Sequence, residues 1–312
     1  MFQTFAINNT KYFRKNQEEN EIMNFRTDLA LERCEILEKK QLEGIEIESF
    51  EAKSAKVTRI EVLNERGAET VGKPVGKYVT VEVTPFAKHA QFIDESLETV
   101  TEEIRRMLPE KGSILVAGLG NMKITPDALG PKCASMIFAT RHITGELLKA
   151  TGFSNLRCVS AFSTGVLGET GAESGEVIRG IVQMLKPDAV ITVDALAARN
   201  AERLGTTVQM CNTGIVPGSG VGNARQEISE RTIGVPVISI GVPTVVDAAT
   251  LILDFAGDEI DKKSLPEKSM DMMVTPREVD LMIERAAKLT SLALNCALQP
   301  EISPEDMVIL TA

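Results

Sequence analysis

Two aspartates carry the strongest chemical signal in the chain. Asp127 lies in SILVAGLGNMKITPDALGPKC, Ser113 to Cys133, and Asp194 closes PDAVITVD, Pro187 to Asp194. Each follows an apolar run that reads as an interior parallel strand. In an open α/β sheet the carboxyl ends of the strands border the ligand crevice. Two acids brought together there cannot both ionise freely, so they share a proton and supply one acid and one base at a single pH. Such a pair can activate water and protonate a leaving amine.

Each acid also has a structural reading. Asp127 follows Pro126 and suits a helix N-cap. Asp194 on a buried strand end is costly unless it is hydrogen-bonded or paired. The sequence GLGN, Gly118 to Asn121, follows a strand as a nucleotide fingerprint would, but Lys123 stands where the third glycine belongs. A dinucleotide site is therefore disfavoured. Gly118, Gly120 and Asn121 are read instead as a tight loop that brings Asp127 back over the strand end. Glu169, Glu173 and Asp247 are reserve acids, a type that more often caps helices or faces solvent.

No other nucleophile or metal motif competes. Ser219 in PGSGVG lacks the spacing of a nucleophile elbow. The two histidines, His89 and His142, have no ligand companion at helical spacing, and the five cysteines form no CxxC pair. No cofactor and no metal are expected. The glycine-dense stretch Cys211 to Ser229 is read as a wall or lid of the crevice.

The elements that must position these residues follow from periodicity. A helix is predicted from Thr27 or Asp28 to Lys40, and strands over AKVTRIEVLN and GKYVTVEVTP, with ERGAET, Glu65 to Thr70, as a turn between strands. A helix from Asp94 to Leu108 is stopped by Pro109. Strands are then predicted at Ile114–Ala117, Leu156–Ala161, Ala189–Val193 and Val235–Ile240, with a helix over SGEVIRGIVQMLKP. The final helix is predicted to open on a capping box, Thr275-Pro276-Arg277-Glu278. Gly257 to Met273 reads as loop. The expected fold is α/β: a mainly parallel twisted sheet with helices on both faces, plus a small antiparallel β patch.

Composition limits the partners. Hydrophobic residues make up 43% of the 312, enough for a core without disulfides. The net charge of −10 argues against binding nucleic acid or an anionic membrane. The absence of Trp argues against a base-stacking surface. With no apolar signal core at the N-terminus and no spanning run, the chain is expected to be soluble and cytoplasmic. Residues 1 to about 25 are polar and read as a loosely held extension.

Long blocks of the chain resemble the germination proteases of endospore-forming bacteria. They are FRTDLALE (Phe25 to Glu32), VAGLGNMKITPDALGP (Val116 to Pro131), GVLGETGAESGEVIRG (Gly165 to Gly180), VDALAARNAERLGTTVQMCNTGIVPGSGVGNAR (Val193 to Arg225) and IGVPTVVDAAT (Ile240 to Thr250). The resemblance implies an endopeptidase acting on small acid-soluble spore proteins during germination. It implies a homotetrameric, self-processing zymogen of the forespore and spore core, of aspartic type, whose essential acids fall on Asp127 and Asp194. It also implies a fold similar to hydrogenase maturation proteases, in which a histidine helps bind nickel. No matching histidine follows Asp194 here. Substrates of the family are cut after Glu and before Ile or Phe. Glu21-Ile22 is therefore the expected self-cleavage bond, dividing a 1–21 propeptide from a single 22–312 protease domain.

Two alternatives stay open at this stage. The same carboxylates could ligate a metal in a metal-dependent protease, or the crevice could hold a peptide without cleaving it. Which aspartate carries the proton is also open.

Overall fold

The computed structural model describes residues 27–37, 43–88, 93–153, 155–256 and 272–311. Among the described residues nine strands form one mixed sheet: β1 (Ile45–Ala52), β2 (Ala55–Val62), β3 (Gly76–Glu82), β4 (Ile114–Gly118), β5 (Val159–Ser163), β6 (Ala189–Ala198), β7 (Thr207–Cys211), β8 (Val237–Asp247) and β9 (Met273–Val274). Their order is β1-β2-β3-β7-β8-β6-β4-β5, with β9 on β8. Strands β5, β4, β6 and β8 run parallel to their neighbours in that block. Every residue of β4, and all but one of β6 and of β8, is buried, as expected of strands covered on both faces.

The antiparallel patch continues the same sheet rather than standing apart from it. Strands β1, β2, β3 and β7 pair antiparallel in sequence, and β7 joins the patch to β8. Helices cover both faces. Glu95–Met107, Leu129–Ser135 and the 20-residue Val279–Leu298 enclose the larger core with Val116, Ile191, Val193 and Ile240. Ser174–Leu185 and Glu230–Ile233 cover Leu115, Ala117 and Val190 on the other face, and Ala30–Ile36 covers Tyr78 and Cys211 further along it. No helix among the described residues is long and apolar enough to cross a membrane.

Several boundaries differ from the sequence reading for local physical reasons. Glu65–Val71 is a short helix, not a turn: Asn64 caps it by accepting from the Gly67 N–H at 3.0 Å, and Gly72 closes it in the left-handed conformation. Residues 156–158 do not join β5. The Gln299 side chain takes the Arg157 N–H (2.9 Å) and donates to the Arg157 carbonyl (2.9 Å), which holds this stretch outside the sheet. The capping box at Thr275–Glu278 does not form, and the last long helix starts at Val279 with no side-chain cap. Pairing of Met273 and Val274 with Asp247 and Val246 keeps the backbone just before it extended. The first helix starts at Ala30, with Leu29 as its N-cap, rather than at Thr27 or Asp28, and it ends at Ile36, where Leu37 turns extended; 38–42 lie outside the described residues. Most of the loop predicted at 257–273 also lies outside them.

Candidate active site

The site is built where one strand stops and its neighbours continue. β4 ends at Gly118, which pairs with Val193 of β6. β6 runs on through Asp194 to Ala198 alongside β8, so Asp194 does not end its strand as expected. Small apolar residues after it, Ala195 to Ala198, extend the pairing against Val242 to Val246. Asp194 is thus the first residue of β6 beyond the reach of β4. It registers with Gly241 of β8.

The chain leaving β4 turns sharply over this point. The Leu119 N–H donates to the Val193 carbonyl at 2.8 Å. Gly120 has φ +110°, and a Cβ there would lie 2.1 Å from the Asp127 carbonyl oxygen. At Gly118 a Cβ would lie 2.2 Å from the carbonyl oxygen of Gly130. Both glycines are therefore needed for the close approach of two backbone segments. The Asn121 N–H donates to Asp127 Oδ2 at 2.7 Å, closing the loop. Asp127 ends a single 3₁₀ turn, Thr125–Asp127, and is not the cap of the following helix, whose N-cap is Ala128. The N-cap reading of Asp127 therefore does not hold; one of its carboxylate oxygens instead accepts from the loop that carries it.

The two acids have different surroundings. Asp194 is 6% exposed, and the one hydrogen bond to its carboxylate among the described residues comes from the adjacent Ala195 N–H at 2.9 Å. Burial holds its carboxyl well above the ordinary carboxylate range, and the charges of Asp127 and then Asp28 push it further. Burial also raises Asp127, but the Asn121 N–H opposes that shift by bonding the ionised form. The Ala195 N–H opposes the shift at Asp194 in the same way, but there two neighbouring charges add to burial, so the shift is the larger at Asp194.

A third acid, Asp28, was missed from sequence. Its N–H donates to the Ala197 carbonyl, and its carboxylate accepts from the Ala197 N–H (2.9 Å) and the Ser219 hydroxyl (2.8 Å). It thus fastens the chain before the first helix to the end of β6. One turn on, buried Glu32 accepts from the N–H groups of Arg199 (2.6 Å) and Asn200 (2.9 Å) and from Arg203 (3.2 Å). The only available signal was the block FRTDLALE, whose acids sit four residues apart at a helix start.

The reserve acids serve structure. Asp247 accepts from the N–H and hydroxyl of Thr250 at 3.0 and 3.2 Å, at the start of the helix Ala248–Ala256. Glu173 forms a capping box with Glu176. Glu169 pairs with Lys123 at 2.9 Å, linking the loop after β5 to the loop after β4. His142 is exposed; His89 and the Glu21-Ile22 bond lie outside the described residues. All five cysteines are free, four of them buried. Among the described residues, no three His, Cys, Asp or Glu side chains are grouped as a metal site.

A cavity of about 720 Å³ opens beside Asp194. Neither aspartate lines it. Its floor includes Gly241, the register partner of Asp194, and Leu196, two residues further along β6. The glycine-dense stretch after β7 forms one wall through Thr213, Gly214, Val216, Ser219 and Gly222. Its base is closed by the bridge between Ile215 and Ile228.

Comparison with known proteins places the chain in a family. Residues 26–262 match the family model described as germination protease. The germination protease of Caldanaerobacter subterraneus subsp. tengcongensis is 41% identical, over 92% of this chain and 98% of the relative. That of Clostridium perfringens is 41% identical over 91% and 98%, and that of Priestia megaterium 35% identical over 90% and 95%. Among solved structures, a nickel–iron hydrogenase maturation protease from Thermococcus kodakarensis aligns with a TM-score of 0.35 and 18% identity, over 62% of this chain and 98% of that one. With a family model matched over most of its length and relatives this similar end to end, the chain belongs to the germination proteases, a family of peptidases.

Proposed function

We propose that the chain is an endopeptidase that hydrolyses peptide bonds with Asp127 and Asp194 as a proton-sharing pair. The observation that carries this reading is the burial of Asp194 next to the charge of Asp127, with one backbone N–H on its carboxylate among the described residues. A carboxyl held neutral by its surroundings is a proton donor, and a nearby ionised carboxylate is a base.

In this reading Asp127 takes a proton from water as the water oxygen attacks the carbonyl carbon. Asp194 gives its proton to the carbonyl oxygen, leaving a tetrahedral diol. The C–N bond then breaks, Asp127 passes its proton to the departing amine, and a diol hydroxyl returns a proton to Asp194. Both acids end as they began.

The finer assignments belong to the same proposal: small acid-soluble spore proteins as substrates, cleavage after Glu, assembly as a homotetramer, and self-processing at Glu21-Ile22. Their support is the family membership and the sequence ENEIMNF just upstream of the docked Asp28. N-terminal sequencing of the processed chain should read Ile22 first; any other new terminus rejects that bond.

The dyad is tested by Asp127→Asn and Asp194→Asn in the full chain. Each should lower self-processing and substrate cleavage by about 10²- to 10⁴-fold with the circular dichroism spectrum unchanged. Full activity in either variant would sink the pair. Loss of wild-type activity with a chelator, restored by a divalent ion, would reassign the carboxylates as metal ligands.

A further inference from the structure

β6 outruns β4, and beyond Val193 no strand among the described residues pairs with β6 on the side that β4 had covered. An open edge leaves backbone N–H and C=O groups unpaired. One residue fills the gap. The Asp28 N–H donates to the Ala197 carbonyl at 2.9 Å, and Asp28 Oδ2 accepts from the Ala197 N–H at 2.9 Å, so both backbone polar groups of Ala197 end on Asp28. The other carboxylate oxygen, Oδ1, accepts from the Ser219 hydroxyl at 2.8 Å. The glycine-dense wall presses on the same carboxylate: a Cβ at Gly220 would lie 2.2 Å from Asp28 Oδ2 and 2.7 Å from Ala197 Cβ. The Asp28 carbonyl accepts from Lys73 Nζ and from Gln209 Nε2, each at 2.9 Å. Gln209 Oε1 in turn accepts from the Ala30 N–H at 2.8 Å. Every polar atom of Asp28 is thus partnered, by groups from β6, the wall, β7 and the connection before β3.

We infer that Asp28 is a positioning residue of the hydrolytic site. It stands in for the missing strand beside Ala197, ties the cavity wall to the strand of Asp194, and holds a negative charge toward the Asp194 carboxyl. The inference rests on the dyad reading above and adds a third acid that acts through Asp194. The charge matters because a general acid must keep its proton until the reacting oxygen takes it. Two negative charges act on Asp194, Asp127 from the loop after β4 and Asp28 from the chain before the first helix. Its register partner on β8, Gly241, carries none. Lys73 and Arg33 face Asp28 with positive charge, but neither is among the charges that act on the Asp194 carboxyl. Arg231 and Glu227, at the cavity wall, pair with each other.

Asp28→Asn tells a plain strut from a positioning acid. Its amide oxygen can accept from the Ala197 N–H while its NH₂ donates to the Ser219 oxygen, so both ties survive and the charge is lost. The self-processed chain is assayed for kcat against pH on one peptide substrate. Removing a negative charge lowers the pKa of the acid beside it. The alkaline limb should therefore move to lower pH, with kcat on that limb falling about 3- to 10-fold while the plateau below it stays near wild type. An unmoved limb in Asp28→Asn, with Asp194→Asn inactive, overturns the inference and leaves the dyad standing. Full activity in Asp194→Asn overturns the dyad, and the inference with it. Ser219→Ala cuts only the tie to the wall. It should raise KM by about 2- to 10-fold, the worth of one hydrogen bond, with the limb in place. An unchanged KM in that variant overturns the tie.

Discussion

Asp194 in β6 and Asp247 at the end of β8 are both buried aspartates on neighbouring strands, 6% and 4% exposed. They differ in what meets the carboxylate. Asp247 accepts two hydrogen bonds from Thr250 and starts a helix. Among the described residues the Asp194 carboxylate meets only the N–H of the next residue, and it faces two more acids through their charge. Burial alone is therefore not the mark of a working acid. The mark is burial that the fold leaves under-satisfied, because such a group keeps its proton until the reaction takes it.

Substitutions can break or sharpen this contrast. The largest effect is on turnover: Asp194→Asn should lose about 10²- to 10⁴-fold in peptide cleavage, while Asp247→Asn should keep wild-type rates. Equal losses in both would erase the distinction. Next comes Gly120→Ala. Its positive φ and a Cβ only 2.1 Å from the Asp127 carbonyl oxygen force the loop apart, at about 1 to 3 kcal/mol in chemical denaturation together with a fall in kcat. A neutral result would mean the loop does not set Asp127. Asp247→Ala should cost about 1 kcal/mol as a lost cap, read from the shift of the denaturation midpoint, with kcat unchanged.

The smallest effect is a pH dependence of opposite sign to a salt-bridged acid. The carboxyl of Asp194 titrates higher folded than unfolded, so ionising it costs stability. Below the ordinary carboxylate pKa of about 3.9, both states hold the proton and the group contributes no pH dependence. As pH rises from there through the raised value, the wild type should lose stability relative to Asp194→Asn. Parallel stability–pH curves for the two chains would contradict this.

Much of this site was legible in the sequence. The apolar runs before Asp127 and Asp194 located two parallel strands, and the broken fingerprint GLGN identified the loop that folds back. The length of β6 was not legible. ALAA after Asp194 has no β-branched residue, and only its pairing with β8 makes it a strand. The helix Glu65–Val71 was hidden by a glycine in its first turn, although Asn64 and Gly72 were both available as cap signals. Asp28 had only the block FRTDLALE to mark it, and Lys73 had no local signal. They are 45 residues apart and meet only because the chain ahead of the first helix crosses the end of β6.

The central claim is that Asp127 and Asp194 titrate as a pair with the proton on Asp194. Carboxyl ¹³C NMR titration of both aspartates in the folded chain tests it directly. The account predicts that Asp194 titrates above Asp127, and that Asp127→Asn moves Asp194 downward by removing the neighbouring charge. An Asp194 titration unmoved by Asp127→Asn, or an Asp194 in the ordinary carboxylate range, would contradict it.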